Sequence, residues 1–345
     1  MFVRRHQQNA GFRRFQMKVK FPRRRPFRIF IACLAFIALL PPLFLHFRLS
    51  SLHQAQLRRC AWLRDPPLVC AHGGDTTEAF ANTMAAFHAA LHSQVDCIEI
   101  DVSRSSDGIL LALHDRDLQR ITGDRTSRVG HLTSREIKEL KPIHQYTEKF
   151  VDVTVTTLEQ ALMFISKSVH QVILDAKIGP PSFEDGLAED ILSVVVKTAC
   201  TNCLVWAKSD TLIRDVIKLS SNLSVGYIVM KEPSTRGRTN LLRVKGAGVA
   251  GVYHPLIDKK LMSILHGYSS NLQTELSLSI TVPSCGAYLL LGSRKKVYAW
   301  TVDDVKSMQR VMFERVDGIV TSNPTLLQQL MQRIKSQCLE EGFTL

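Results

Sequence analysis

Acidic residues are missing from the start of this 345-residue chain: residues 1 to 28 hold ten Arg and Lys and no Asp or Glu. Ten of the thirteen net positive charges therefore lie in that tail, and the remainder has no basic excess of the kind a nucleic-acid-binding domain carries. Long apolar runs are scarce too. IFIACLAFIALLPPLFL, residues 29 to 45, is uncharged for about the length of a short bilayer span, and the rest of the composition excludes a polytopic membrane protein. No GxGxxG follows the first strand candidate, which argues against an open dinucleotide-binding sheet. No repeat or low-complexity tract follows the apolar run. The eight cysteines are scattered rather than dense, so no disulfide framework stands in for a core. Cys33 lies in the apolar run. Cys200 and Cys203 form a single CxxC, read as buried thiols or an ordinary disulfide, since zinc would need a second pair.

Pro41 and Pro42 are expected to kink or end a helix over the apolar run. A removable signal sequence has shorter basic flanks and a small-x-small site. A transit peptide, the alternative address, is amphipathic where this block is continuous. The reading is an uncleaved anchor: basic cytoplasmic tail 1–28, transmembrane helix 29–47, linker 48–66, and a folded domain placed in a lumenal or extracellular compartment by the positive-inside rule. Asn222-Leu223-Ser224 is then a glycosylation sequon on the exposed side.

Beyond residue 66 the pattern alternates. Strands are predicted at 67–71, 96–103, 109–113, 170–176, 203–206, 224–229, 248–253, 297–302 and 317–320. Helices are predicted at 82–92, 133–140, 157–168, 184–199, 209–219 and 303–314. Such alternation implies a parallel sheet, and the strand count over this length suits a closed (β/α)₈ TIM barrel. One strand must be accessory. The two joined by Ser105-Ser106-Asp107-Gly108 are too close for a crossover helix.

Residues two apart on a strand share a face. DCIEIDVS thereby sets Glu99 and Asp101 on one side, and QVILDAK does the same for Asp175 and Lys177. LLALHD ends in His114 and Asp115, and PLVCAH delivers His72. If these are barrel strands, their ends meet at one mouth, where active sites of this fold are built. Three carboxylates, Glu99, Asp101 and Asp175, are hard ligands for Mg²⁺ or Ca²⁺. Two histidines beside such a metal suit general acid–base work, and Lys177 adds charge for an anion. The set describes displacement at phosphorus.

These residues resemble the glycerophosphodiester phosphodiesterase family. The resemblance is carried by His72-Gly73-Gly74, Asn82-Thr83, IEIDV at 98–102, Asp107-Gly108, LHD at 113–115, LDAK at 174–177, WTVD at 300–303 and DGIVTSNP at 317–324. It spans residues 67–332, leaving a C-terminal tail at 333–345, and is closest in style to membrane-anchored plant members. It implies hydrolysis of a glycerophosphodiester to an alcohol and sn-glycerol 3-phosphate. His72 and His114 match the catalytic pair, Glu99, Asp101 and Asp175 the metal ligands, and Lys177 a substrate-binding position. Trp300, near a strand end, is read as a substrate-binding residue that lines the site or stacks under glycerol, with a place in the core as the alternative. Four positions depart from the family pattern: Gly73 stands for Arg, Ala81 for Glu, Asp175 for Glu and Asp303 for Asn. A barrel that binds a phosphodiester or lipid headgroup without turnover, and lysophospholipase D activity in the same site, are the alternative readings.

Overall fold

The computed structural model describes residues 25–140, 150, 153–231, 240–267 and 294–344. Most of the basic tail, up to residue 24, lies outside the described residues. The chain divides into two units, Met1–Ala55 and Gln56–Leu345.

Helix α1 (Arg25–Cys60) begins in the first unit, and the stretch Phe27–Arg64 is long and apolar enough to cross a membrane. It continues past Pro41 and Pro42, so they do not end it. A proline deletes one backbone hydrogen bond, and adjoining turns keep theirs, so a long apolar helix absorbs the loss. Residues 48–66, expected as a linker, are helical as far as Cys60 and continue as a 3₁₀ turn, Ala61–Arg64. Their mixed composition concealed a buried end: Cys60, Trp62 and Leu63 enter the core, and Cys60 is disulfide-bonded to Cys338.

In the second unit the described residues form ten strands: β1 (Leu68–His72), β2 (Cys97–Arg104), β3 (Leu110–Ala112), β4 (Thr156–Thr157), β5 (Gln171–Ala176), β6 (Cys203–Ala207), β7 (Ser224–Val229), β8 (Val249–Tyr253), β9 (Lys296–Trp300) and β10 (Gly318–Thr321). Eight of them pair in parallel in the order β1-β2-β5-β6-β7-β8-β9-β10, and β10 pairs with β1 to close the barrel. Around it lie α2 (Met84–His92), α3 (Asp115–Thr122), α4 (Ser134–Glu139), α5 (Leu158–Ile165), α6 (Leu187–Lys197), α7 (Asp210–Leu219), α8 (Lys259–Leu265), α9 (Val305–Phe313) and α10 (Pro324–Glu340). Short polar residues start them. Thr133 and Thr157 form full capping boxes with Glu136 and Gln160, satisfying backbone donors that a helix start otherwise leaves unpaired. Helix α10 extends past residue 332 and buries Ile334 and Cys338.

Alternation on the strands separates two cores. Outward residues such as Ile98, Ile100, Leu174 and Val205 pack beneath the helices. Inward residues Cys70, Cys97, Ile173, Leu204, Trp206, Ile228, Tyr298 and Val320 fill the barrel. Following the inward positions upward, each strand changes from apolar to ionisable: Cys70 then His72, Cys97 then Glu99 and Asp101, Ile173 then Asp175. At the level of the lower layer, Cys70 is disulfide-bonded to Cys97. Gly251 leaves room for Trp206: an added Cβ would lie 2.9 Å from the indole Cε3.

The accessory pair corrects one expectation. His114 does not come from the end of a parallel barrel strand, because β3 pairs antiparallel to β2 with Val102 opposite Ala112 and Arg104 opposite Leu110. Strand β2 is eight residues long and overshoots the mouth. After the Ser105–Gly108 turn, β3 descends beside it, and the Leu113 amide donates to Asp101 O at 2.9 Å. His114 thus lands next to Asp101 by a return path.

Candidate active site

The stretch HGGDTTEAFANT leaves β1 in a tight loop. Gly73 and Gly74 both hold positive φ, +65° and +88°. At Gly74 a Cβ would lie 2.6 Å from the Ala86 carbonyl carbon, so only glycine lets the loop meet α2. The Gly73 amide donates to both the backbone O and the Oε2 of Glu99, each at 3.0 Å. Asn82 then folds back: its amide donates to Gly73 O at 2.8 Å, its Nδ2 to Asp101 Oδ2 at 2.9 Å, and its Oδ1 accepts from Asp101 N at 3.0 Å. The loop fixes both acids of β2 before any ligand arrives. A side chain at position 73 would strain the backbone, so the arginine of the family pattern has no ready place here.

Strand register brings the remaining groups together. His72 is level with Glu99, and Asp101 is level with Asp175. Glu99, Asp101 and Asp175 offer ligand oxygens that all lie within 4.8 Å of one another. Lys177 Nζ is 2.6 Å from Asp101 Oδ1 and also contacts Asp175. Arg116 adds a more distant guanidinium, 4.0 Å from Asp101 Oδ2. His72, Glu99, His114, Asp175, Lys177 and Trp300 line one cavity at the mouth. A groove of about 440 Å³ continues from it, bounded by Val129, Ile178, Phe183, Glu184 and Leu187.

Electrostatics show that these acids need positive charge. Burial raises Glu99 well above the carboxylate range, and the neighbouring Asp101 raises it further. Burial also raises Asp175, against the pull of Lys177. At Asp101 burial is outweighed by Lys177, His72 and His114, which hold it well below its ordinary value. Lys177 is raised despite its burial, because Asp101, Asp175 and Glu99 surround it. One lysine facing three buried carboxylates offsets only part of their negative charge. A divalent cation fits this donor set: the oxygens are hard, and one from each carboxylate lies within 4.8 Å of the others.

Burial lowers His72, with Asp101 opposing, and pushes His114 down to about 3, with Lys177 and Arg116 adding to the effect. The Arg116 amide donates to His114 Nδ1 at 3.2 Å, so Nε2 is the ring nitrogen left for proton transfer, and His114 lines the cavity. Asp303 is held by the β10 loop. Its carboxylate accepts from Ser322 N at 2.7 Å and from the hydroxyls of Thr321 and Ser322, fixing the β10 loop.

The structure thus brings together all seven residues expected from the sequence. Two more belong with them. Asn82 was legible only as part of a motif, while its grip on Asp101 needs the loop geometry. Lys208 lines both the mouth cavity and the groove. Its signal was the same two-residue spacing, from inward Trp206, on a strand expected to end at 206.

Residues 72–253 match the family model for the glycerophosphoryl diester phosphodiesterase family, and residues 288–338 match a second, described as dermonecrotic toxin SPH. The chain is 48% identical over 318 residues to glycerophosphodiester phosphodiesterase GDPD4 of Arabidopsis thaliana, covering 92% of this chain and 89% of that protein. It is 36% identical to a glycerophosphodiester phosphodiesterase of Bacillus altitudinis, over 77% of this chain and 99% of that one. Among solved structures, a putative glycerophosphoryl diester phosphodiesterase from Silicibacter pomeroyi superposes with a TM-score of 0.61 at 19% identity, covering 81% of this chain and 98% of its own. An Oleispira antarctica phosphodiesterase, solved with the product sn-glycerol-3-phosphate, gives 0.58 at 22% identity, over 77% and 97%. With a closed barrel, converging acids and this extent of sequence identity, the chain belongs to the glycerophosphoryl diester phosphodiesterase family.

Proposed function

We propose that this barrel hydrolyses glycerophosphodiesters to an alcohol and sn-glycerol 3-phosphate, with Glu99, Asp101 and Asp175 holding a divalent cation, Mg²⁺ or Ca²⁺. The observation that carries the reading is the convergence of three carboxylates within 4.8 Å in a mouth that His72 and His114 both line. Bound there, the cation supplies Lewis-acid stabilisation of charge on the phosphoryl oxygens. The chain's own residues do the rest. One imidazole takes the proton of the attacking oxygen, and the other returns a proton to the departing alcohol, His114 acting through Nε2. Lys177 keeps Asp101 and Asp175 in place and leaves positive charge beside the substrate anion. Trp300 offers a half-buried indole to the glycerol half, and the groove takes the alcohol.

The groove also favours a second reading, lysophospholipase D, since Val129, Ile178, Phe183 and Leu187 give it the apolar wall that activity needs. α1 serves as a membrane anchor, with the barrel on the lumenal or extracellular side. Bonds between Cys60 and Cys338, Cys70 and Cys97, and Cys200 and Cys203 support an oxidising compartment.

The test is product release by the full chain in detergent, from a panel of glycerophosphodiesters and one lysophospholipid, with and without chelator. The expected result is glycerol 3-phosphate release that chelator abolishes and Mg²⁺ or Ca²⁺ restores. An unchanged rate in chelator overturns the metal assignment. Headgroup release from the lysophospholipid alone selects the second reading, and binding without release makes the barrel a phosphodiester-binding protein.

A further inference from the structure

The cations around the mouth are mostly committed. Lys177 pairs with Asp101 and Asp175, Arg104 with Asp190 at 2.7 Å, Arg128 with Asp115 at 3.6 Å, and Arg116 stands 4.0 Å from both Asp101 and Asp117. Lys208 is different. Among the described residues it makes no ion pair, and its Nζ lies over the Trp300 ring, 5.9 Å from the centroid. It is exposed, and an exposed cation–π contact holds it only weakly.

Its position follows from the barrel. Asp175 is registered opposite Trp206 and Ala176 opposite Ala207, which sets Lys208 one step further, beside Lys177. Trp206 faces inward, so Lys208, two residues on, leaves the strand on the same face. Lys208 is also the point where the two spaces meet: it lines the cavity holding the histidines and acids and the groove leading away from it. A diester that places its glycerol under Trp300 and its alcohol in the groove must put its phosphate at that junction. Lys208 is close enough for its charge to act on both His114 and Asp175.

We propose that Lys208 binds the substrate phosphate, swinging from the face of Trp300 onto a non-bridging oxygen. A lysine suits this task because its ammonium is a compact charge on a flexible stem, able to follow the phosphate as the alcohol leaves. The assignment rests on the phosphodiesterase reading for its substrate, yet its central claim concerns binding and is testable without turnover.

The experiment measures binding of sn-glycerol 3-phosphate, and separately of inorganic phosphate, to full-length protein in detergent by calorimetry. It compares wild type, Lys208→Met and Lys208→Arg, with kcat and KM determined alongside. Loss of a charged hydrogen bond to phosphate should weaken glycerol 3-phosphate binding by about 10 to 150-fold in Lys208→Met. Lys208→Arg should stay within a few-fold of wild type, and the melting temperature should not move in either variant. If Lys208→Met binds glycerol 3-phosphate within about twofold of wild type, or wild type does not bind it at all, the proposal is overturned. If wild type binds but releases no product, the phosphodiesterase reading fails while the phosphate-binding role of Lys208 stands or falls on the binding data alone.

Discussion

Asn82 holds a left-handed backbone at φ +62° and directs both ends of its side-chain amide to Asp101. Asparagine tolerates that conformation better than most residues, and the result is a carboxylate of the acidic cluster fixed from its backbone and its side chain at once. Asn82→Ala would mix two effects, lost hydrogen bonds and strain at positive φ. Asn82→Gly removes the side chain alone. We expect Asn82→Gly to require about 10 to 100-fold more divalent cation for half-maximal activity, as loss of a ligand's supporting partner generally does. Metal activation curves measure this, and an unchanged curve would deny Asn82 its positioning role. The sequence marked Asn82 as a motif member but not its function. A hydrogen bond between residues 19 apart depends on a loop whose path Gly73 and Gly74 set, and no periodicity records that path.

At the scale of elements, α1 and the barrel strands bear on where the protein works. Asn222 is exposed in the turn between α7 and β7, so a lumenal barrel presents it to glycosylation machinery. Expressed in cells with sealed microsomes isolated afterwards, the barrel should carry a glycan that Asn222→Gln abolishes, and it should resist added protease. Digestion in intact vesicles would contradict this topology. Most elements were legible because their causes are local: alternation of Ile98, Ile100 and Val102 against Glu99 and Asp101, and the cap at Thr133. Helices α3, α8 and α10 were not singled out, and α1 outran its expected end. Each begins or ends in mixed composition, and its boundary is decided by packing partners distant in sequence, as at Cys60 and Cys338.

Across the whole molecule, closure of β10 onto β1 turns several separate strand ends into one site. That convergence was legible, since His72, Glu99, Asp101, Asp175 and Lys177 each follow an apolar run by a fixed spacing. The return path of β3 was not: the short Ser105–Gly108 connection excluded a crossover, but only the pairing of Arg104 with Leu110 shows His114 descending to Asp101. The central claim is that these two imidazoles move the protons of phosphodiester hydrolysis. The most direct measurement is glycerol 3-phosphate release by the full chain at saturating divalent cation, for wild type, His72→Ala, His114→Ala and the double variant. Removal of either imidazole should lower kcat by about 10² to 10⁴-fold, and the double variant should fall little below the worse single one, because the two act as a unit. Wild-type release no faster than that of the double variant, across several headgroups and both cations, would contradict the account.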